Sequence, residues 1–224
     1  MKYKTCVSIA EDSPIKIKKN LKEALRKSDY VEVRFDFLKA NNIPKTLEII
    51  KKDIKKTVCT LRPKSEGGKF EGSEKERISI LKLIAEYNPF LLDVEYNTIK
   101  KNKELDKYLK TTKTRILISW HDFKKTPKSI ELKNKMFQMA KFSNNVKIVT
   151  TAKSVEDSVR VLQMYKNNGK TNLIAFAMGD NGRMSRILCL YLGSPYTYVS
   201  LGKPVAPGQF SVDEMKKITS LNLR

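Results

Sequence analysis

Short runs of β-branched and aliphatic residues alternate along the whole chain with stretches of helical periodicity. Strands are predicted at Thr5–Ile9, Tyr30–Phe35, Thr57–Leu61, Phe90–Glu95, Arg115–Trp120, Val146–Thr150, Asn172–Ala177 and Thr197–Leu201. Between them, residues such as Leu47, Ile50 and Ile54, or Val155, Val159 and Leu162, recur at three- and four-residue spacing and predict amphipathic helices. Ser73 with Glu76, and Ser211 with Glu214, fit the pattern of a helix-starting capping box. Eight strand–helix units with near-continuous apolar strands predict an α/β chain folded as a single-domain (β/α)8 TIM barrel over 1–224. A doubly wound open sheet is the alternative fold. No Ser/Gly linker, repeat or low-complexity tract divides the chain.

The composition narrows the function classes. Hydrophobic residues make up 40% and charged residues 31% of 224 positions, a globular balance. The formal net charge of +21, from 45 Lys+Arg against 24 Asp+Glu, raises nucleic-acid binding as a reading. Yet the lysines are spread over nearly every predicted helix, as in Lys51-Lys52 with Lys55-Lys56, and no segment interleaves aromatics with arginines as a single-strand platform does. No nucleic-acid partner is expected, and the same surface would draw an anionic small molecule. Cys6, Cys59 and Cys189 are odd in number, far apart and set in apolar runs, so no disulfide framework follows and a cytoplasmic location is expected. Residues 1–4 lead directly into the first predicted strand without a signal-peptide core, and no apolar run approaches the roughly 18 residues of a membrane span. No membrane partner is expected. With a single histidine, a His-rich metal site is not expected either.

A barrel places catalytic groups at or just past the C-terminal ends of its strands. In the sixth strand Lys147 shares a face with apolar or small neighbours. Burying an ammonium without a partner is costly, and the usual relief leaves a neutral amine able to attack a carbonyl. The competing reading is a lysine whose stem lies along an edge strand while its head reaches water. Glu32, Arg34 and Asp36 occupy alternate positions of the second strand, and Asp93 and Glu95 are again two apart on the fourth. The third strand runs through Arg62 into Glu66-Gly67-Gly68, a loop able to bring a carboxylate over a pocket. His121, the one histidine, ends the fifth strand, where a general acid or base belongs. The stretch from Met178 to Arg186 enters a helix with amides and guanidinium groups suited to an anion. The final loop, Ala206-Pro207-Gly208-Gln209, reads as a tight turn from which Gln209 could reach a ligand. Together these residues suit Schiff-base chemistry on an anionic, polyhydroxylated carbonyl compound.

At this point the chain resembles the type I 3-dehydroquinate dehydratases of the shikimate pathway. The resemblance runs from Ser8 to Gln209 through Glu-x-Arg-x-Asp at 32–36, Arg62 with Glu66-Gly-Gly, Ser-x-His-Asp-Phe at 119–123, Val-Lys-Ile at 146–148, Met178-Gly with Ser185-Arg186, and Ala-Pro-Gly-Gln at 206–209. It implies dehydration of 3-dehydroquinate to 3-dehydroshikimate without metal or other cofactor. Lys147 would form an imine with the C3 ketone, His121 would remove the C2 proton, and Glu66 would orient the histidine. Arg186 would bind the carboxylate, and Glu32, Arg34 and Arg62 would meet ring hydroxyls and each other. Gln209 would add a polar contact, with Ser8 and Met178 lining the pocket. A homodimer is the expected assembly, although the residues themselves do not fix it. Two departures from the family pattern are Val205, where many relatives carry a small hydroxyl residue, and Phe176, where a methionine is frequent. The competing functions are a Schiff-base class I aldolase on the same barrel and a basic nucleic-acid-binding protein.

Overall fold

Each expected strand forms, with ends shifted by a residue or two, in the computed structural model, which describes residues 3–220. In chain order the elements are β1 (Thr5–Ile9), α1 (Pro14–Lys27), β2 (Tyr30–Arg34), α2 (Ile43–Ile50), β3 (Thr57–Thr60), α3 (Glu74–Glu86), β4 (Leu91–Glu95), α4 (Tyr96–Lys101) and α5 (Lys103–Thr111). There follow β5 (Ile116–His121), α6 (Ser129–Ala140), β6 (Asn145–Thr151), α7 (Val155–Leu162), β7 (Asn172–Met178), α8 (Ser185–Tyr191), β8 (Thr197–Val199) and α9 (Val212–Ser220). All ladder pairs are parallel, in the order β7-β6-β5-β4-β3-β2-β1-β8.

The two faces of each strand divide the core. Val31, Val33, Leu92, Val94, Val146 and Ile148 point outward and pack in one cluster with helix residues such as Ile17, Leu21, Leu47, Leu81 and Leu105. Their i, i+3, i+4 spacing within the helices gives each helix one apolar stripe, and a fully buried aliphatic side chain contributes about 1.5–3 kcal/mol. A second, inner cluster holds Cys6, Val58, Leu91, Leu117, Ile174, Tyr196 and Tyr198. It fills the barrel's interior, and the alternation that places these residues inside also turns Glu32, Asp93, Ser119 and Lys147 inward one step further along.

The barrel is nearly, not fully, closed. Among the described residues β7 and β8 share no hydrogen-bonded ladder. β8 is three residues long, and side chains occupy the free edge of β7. The Ala175 N–H donates to the Tyr165 hydroxyl at 2.7 Å, which donates back to the Ala175 carbonyl at 3.1 Å. The Ala177 N–H donates to Ser185 Oγ at 2.8 Å. These edge groups are thereby satisfied without an eighth pairing. The capping boxes form to different degrees. At α9 the Ser211 and Glu214 side chains each accept the other's backbone N–H, whereas at α3 the Glu76 N–H donates to Ser73 Oγ with no return bond.

Candidate active site

At the C-terminal mouth the inner face changes from apolar to charged, and a cavity of about 190 Å³ opens there. All ten residues that the sequence points to border it: Ser8, Glu32, Arg34, Arg62, Glu66, His121, Lys147, Met178, Arg186 and Gln209. They come from seven strands or the loops beyond them, and only the register of the ladders brings them together. Lys153, beyond β6, is exposed and does not border this cavity.

Lys147 is 6% exposed, but it is not the isolated ammonium that its apolar strand neighbours suggest. Its Nζ lies 3.4 Å from Asp93 Oδ2 and 3.7 Å from Glu32 Oε1, both reaching across the barrel from other strands. Glu32 is itself held by the hydroxyls of Ser8 and Thr60, each donating at 2.9 Å. Asp93 accepts from Arg62 at 2.6 Å and from Ser119 at 2.5 Å. Burial alone would raise the Asp93 pKa, yet the Arg62 and Lys147 charges outweigh it and hold that pKa below the ordinary carboxylate value.

Beneath this pair lies a charge network only half legible in the sequence. Arg62 also donates to Glu95 at 2.7 Å and to Ser119 at 2.6 Å, so both of its terminal nitrogens are already engaged. Arg77, from α3, donates to the other Glu95 oxygen at 2.6 Å, to Glu74 and to the Leu61 carbonyl, and also contacts Thr98. It is 1% exposed. Asp93 and Glu95 were visible as an alternating pair on their strand; Arg77 sits in the polar run Glu74-Lys75-Glu76-Arg77, which reads as a solvated helix face. Buried ions held this way resist removal of one partner, at about 3–5 kcal/mol. Arg34 makes a bidentate pair with Asp36 at 2.7 and 2.8 Å, and Asp36 accepts the Lys69 N–H at 2.9 Å, tying down the loop that carries Glu66.

That loop turns at Gly67, whose φ of +74° is left-handed; a Cβ there would lie 2.5 Å from the Phe123 ring. The turn buries Glu66 and sets its Oε2 at 3.2 Å from His121 Nδ1. Burial pushes the Glu66 pKa up to about 7. Burial, with the Arg62, Lys147 and Arg34 charges, pushes that of His121 well below 6.5, so the imidazole is neutral near pH 7. His121 Nε2 makes no hydrogen bond among the described residues.

Arg186 is the exception among the buried guanidinium groups. Arg62 and Arg77 are paired with carboxylates, while Arg186, 1% exposed, has no ion pair among the described residues. Its Nη2 donates to the Pro207 carbonyl at 3.0 Å, its Nε is buried without any partner, and its plane lies 4.3 Å from the Phe176 ring centre. Phe176 therefore gives this guanidinium an aromatic face to lie on. Burial lowers the Arg186 pKa to about 10, which leaves it cationic at neutral pH. Arg183, the other arginine of this loop, points away to Glu214. Gln209 turns its Oε1 back to accept from the Val205 and Ala206 N–H groups at 2.8 and 3.4 Å, shaping the loop that borders Arg186. An unpaired buried cation in a small cavity is built to receive an anion.

A (β/α)8 enzyme is the class defined by this barrel and its mouth. The chain matches the type I 3-dehydroquinase family over residues 5–223. It is 38% identical to the 3-dehydroquinate dehydratase of Methanococcus maripaludis strain C6 over 221 residues, covering 96% of this chain and 98% of that one. Among solved structures it is similar to 3-dehydroquinate dehydratase from Geobacillus kaustophilus HTA426, with a TM-score of 0.90 at 22% identity over 100% of this chain and 93% of that one, a likeness of fold. It is also similar to a type I 3-dehydroquinate dehydratase from Clostridium difficile with covalently modified comenic acid, with a TM-score of 0.86 at 26% identity over 98% and 92% of the two chains. The chain belongs to the type I 3-dehydroquinase family. Its activity is that of a hydro-lyase of the shikimate pathway, converting 3-dehydroquinate to 3-dehydroshikimate and water.

Proposed function

We propose that Lys147 performs this dehydration through an imine, with His121 as its base, in one catalytic domain that works as a cytoplasmic homodimer. The observation that carries the reading is one cavity bordered by the Lys147 amine, the neutral His121 imidazole and the unpaired Arg186 guanidinium. Arg186 binds the substrate carboxylate and so fixes the ring between the two other groups. The Lys147 nitrogen adds to the C3 carbonyl and water leaves, giving an iminium that withdraws electrons from C2. His121 takes the C2 proton, and the electron pair passes into an enamine. The enamine expels the C1 hydroxyl, which accepts a proton to leave as water, and hydrolysis of the new imine releases the enone and restores the lysine. Ser8, Glu32, Arg34, Arg62, Met178 and Gln209 shape the cavity around the ring, and Glu32 and Asp93 hold the Lys147 head.

The carboxylate role of Arg186 makes a prediction. Arg186→Met is expected to raise KM by about 10²-fold, the scale of a buried charge-assisted pair. Because no ion pair is broken, its melting temperature should hold or rise. Steady-state kinetics with a thermal melt check both, and an unchanged KM would remove Arg186 from this role.

The Glu66–His121 pair predicts a pH profile. With Glu66 ionised, Nδ1–H of the neutral imidazole donates to it and Nε2 keeps its lone pair for the substrate. With Glu66 protonated, the carboxyl donates to Nδ1, the imidazole proton moves to Nε2, and the base is lost. Activity therefore falls as pH drops through about 7, the apparent pKa belonging to the pair. Glu66→Ala should shift this acid limb of kcat/KM below 6.5, where His121 alone titrates. A limb that stays in place would show that Glu66 does not govern it.

Support for a homodimer comes from the exposed apolar side chains Val155, Val159, Met184 and Leu188 on and beside α7 and α8. Sedimentation velocity tests it, with a monomer at assay concentration as the contrary result. The cytoplasmic assignment is supported by three buried free cysteines, and the described residues include no helix long and apolar enough to cross a membrane. Cell fractionation tests it.

A further inference from the structure

Lys147 is approached by carboxylates on one side and by an aromatic face on another. Its Nζ stands 4.2 Å from the ring centre of Tyr198 on β8. That ring is 4% exposed and is braced by Tyr196 at 5.5 Å and Phe176 at 6.3 Å between ring centres. Its hydroxyl is buried and makes no hydrogen bond of good geometry among the described residues. What stands over the Lys147 nitrogen is the ring face, and it is this face that the geometry brings to the reacting atom.

We propose that the Tyr198 ring is a cation–π platform for the Lys147 nitrogen, favouring the iminium over the neutral carbinolamine that precedes it. The inference rests on the reading of Lys147 as the imine-forming residue. What distinguishes the ring from Asp93 and Glu32 is how each contact survives the reaction. An ammonium offers three N–H donors, whereas the protonated imine keeps one, so the nitrogen can no longer point N–H groups at both Asp93, its hydrogen-bond acceptor at 3.4 Å, and Glu32, its ion-pair partner at 3.7 Å. A π face needs no N–H. It attracts positive charge through the ring quadrupole, and that attraction is gained as the protonated carbinolamine hydroxyl leaves as water and the nitrogen becomes the iminium. The ring thus follows the charge through the condensation, most effectively here because the site is desolvated. Removing such a contact should slow iminium formation on the order of tenfold to thirtyfold.

The test replaces Tyr198 with Phe and then with phenylalanines bearing one, two and three ring fluorines, which drain the quadrupole with little change of shape. The readouts are the rate of borohydride-trapped adduct formation, kcat and KM separately, and the melting temperature. Tyr198→Phe, which keeps the ring face, sets the baseline of the series, and each fluorine is expected to slow trapping further, to about tenfold or more overall, at constant melting temperature. A flat response along the series would overturn the proposal, as would loss of activity in Tyr198→Phe, which would assign the role to the hydroxyl. If the unaltered protein itself gives no adduct on Lys147, the imine reading fails; a normal adduct with a flat fluorine series removes Tyr198 alone.

Discussion

Lys147→Ala is expected to abolish turnover, with kcat falling on the order of 10⁵-fold or more, the scale of losing a covalent nucleophile. The reason is chemical rather than structural. Abstraction of a C2 proton beside a plain ketone lacks the cationic electron sink that an iminium supplies. No adduct with substrate or product should form. The substitution also leaves Asp93 and Glu32 with one cation fewer, so some loss of melting temperature is expected alongside the loss of activity. Lys147→Met, which keeps most of the stem, controls for lost packing: it should be inactive to the same degree. Measurable turnover in either variant, near that of the unaltered protein, would show that the reaction does not pass through this amine.

His121→Ala should produce a different failure. The amine remains able to attack the ketone, so imine formation survives in slower form, since proton transfers in making and breaking the imine lose their catalyst. Abstraction of the C2 proton has no equivalent substitute. Glu66 is the carboxyl beside the imidazole, but in the unaltered protein it faces that ring, and Asn97 Nδ2 occupies its second oxygen at 3.4 Å; Glu32 and Asp93 are held at the Lys147 head. A loss in kcat of about 10²–10⁴-fold is expected, the range of general-base catalysis. Intact-protein mass spectrometry should then find substrate-derived adduct accumulating, in contrast to its absence in Lys147→Ala. Near-normal turnover would make the one histidine of this chain structural and leave the mechanism without its base.

The sequence made the barrel and the membership of its mouth legible for a simple reason. On a parallel strand a charged residue between aliphatic ones has no solvated face to occupy, so Glu32, Arg34 and Lys147 announce both the inward direction and the end of the barrel they serve. His121 and Arg62 follow from strand ends alone. What stayed hidden was who touches whom. The partners of Lys147 lie 54 and 115 positions away, at Asp93 and Glu32, and only the ladder register makes them neighbours. Arg77 is hidden more deeply, because a helix position is buried or solvated according to the strand it covers, and Glu95 is what recruits it. The Arg186 guanidinium was expected at the site, but its want of a carboxylate partner is a property of the assembled cavity. The open seam between β7 and β8 could not be read either, since a tyrosine at 165 and a serine at 185 reveal nothing of their service as edge caps until the chain is folded.

Borohydride reduction of the protein during turnover of 3-dehydroquinate, followed by peptide mass mapping, tests the role of Lys147 most directly. The expected result is a single reduced adduct on the peptide that carries Lys147, absent from the Lys147→Ala variant. An adduct on the Lys153 side chain instead, or turnover with no trappable adduct at all, would contradict it.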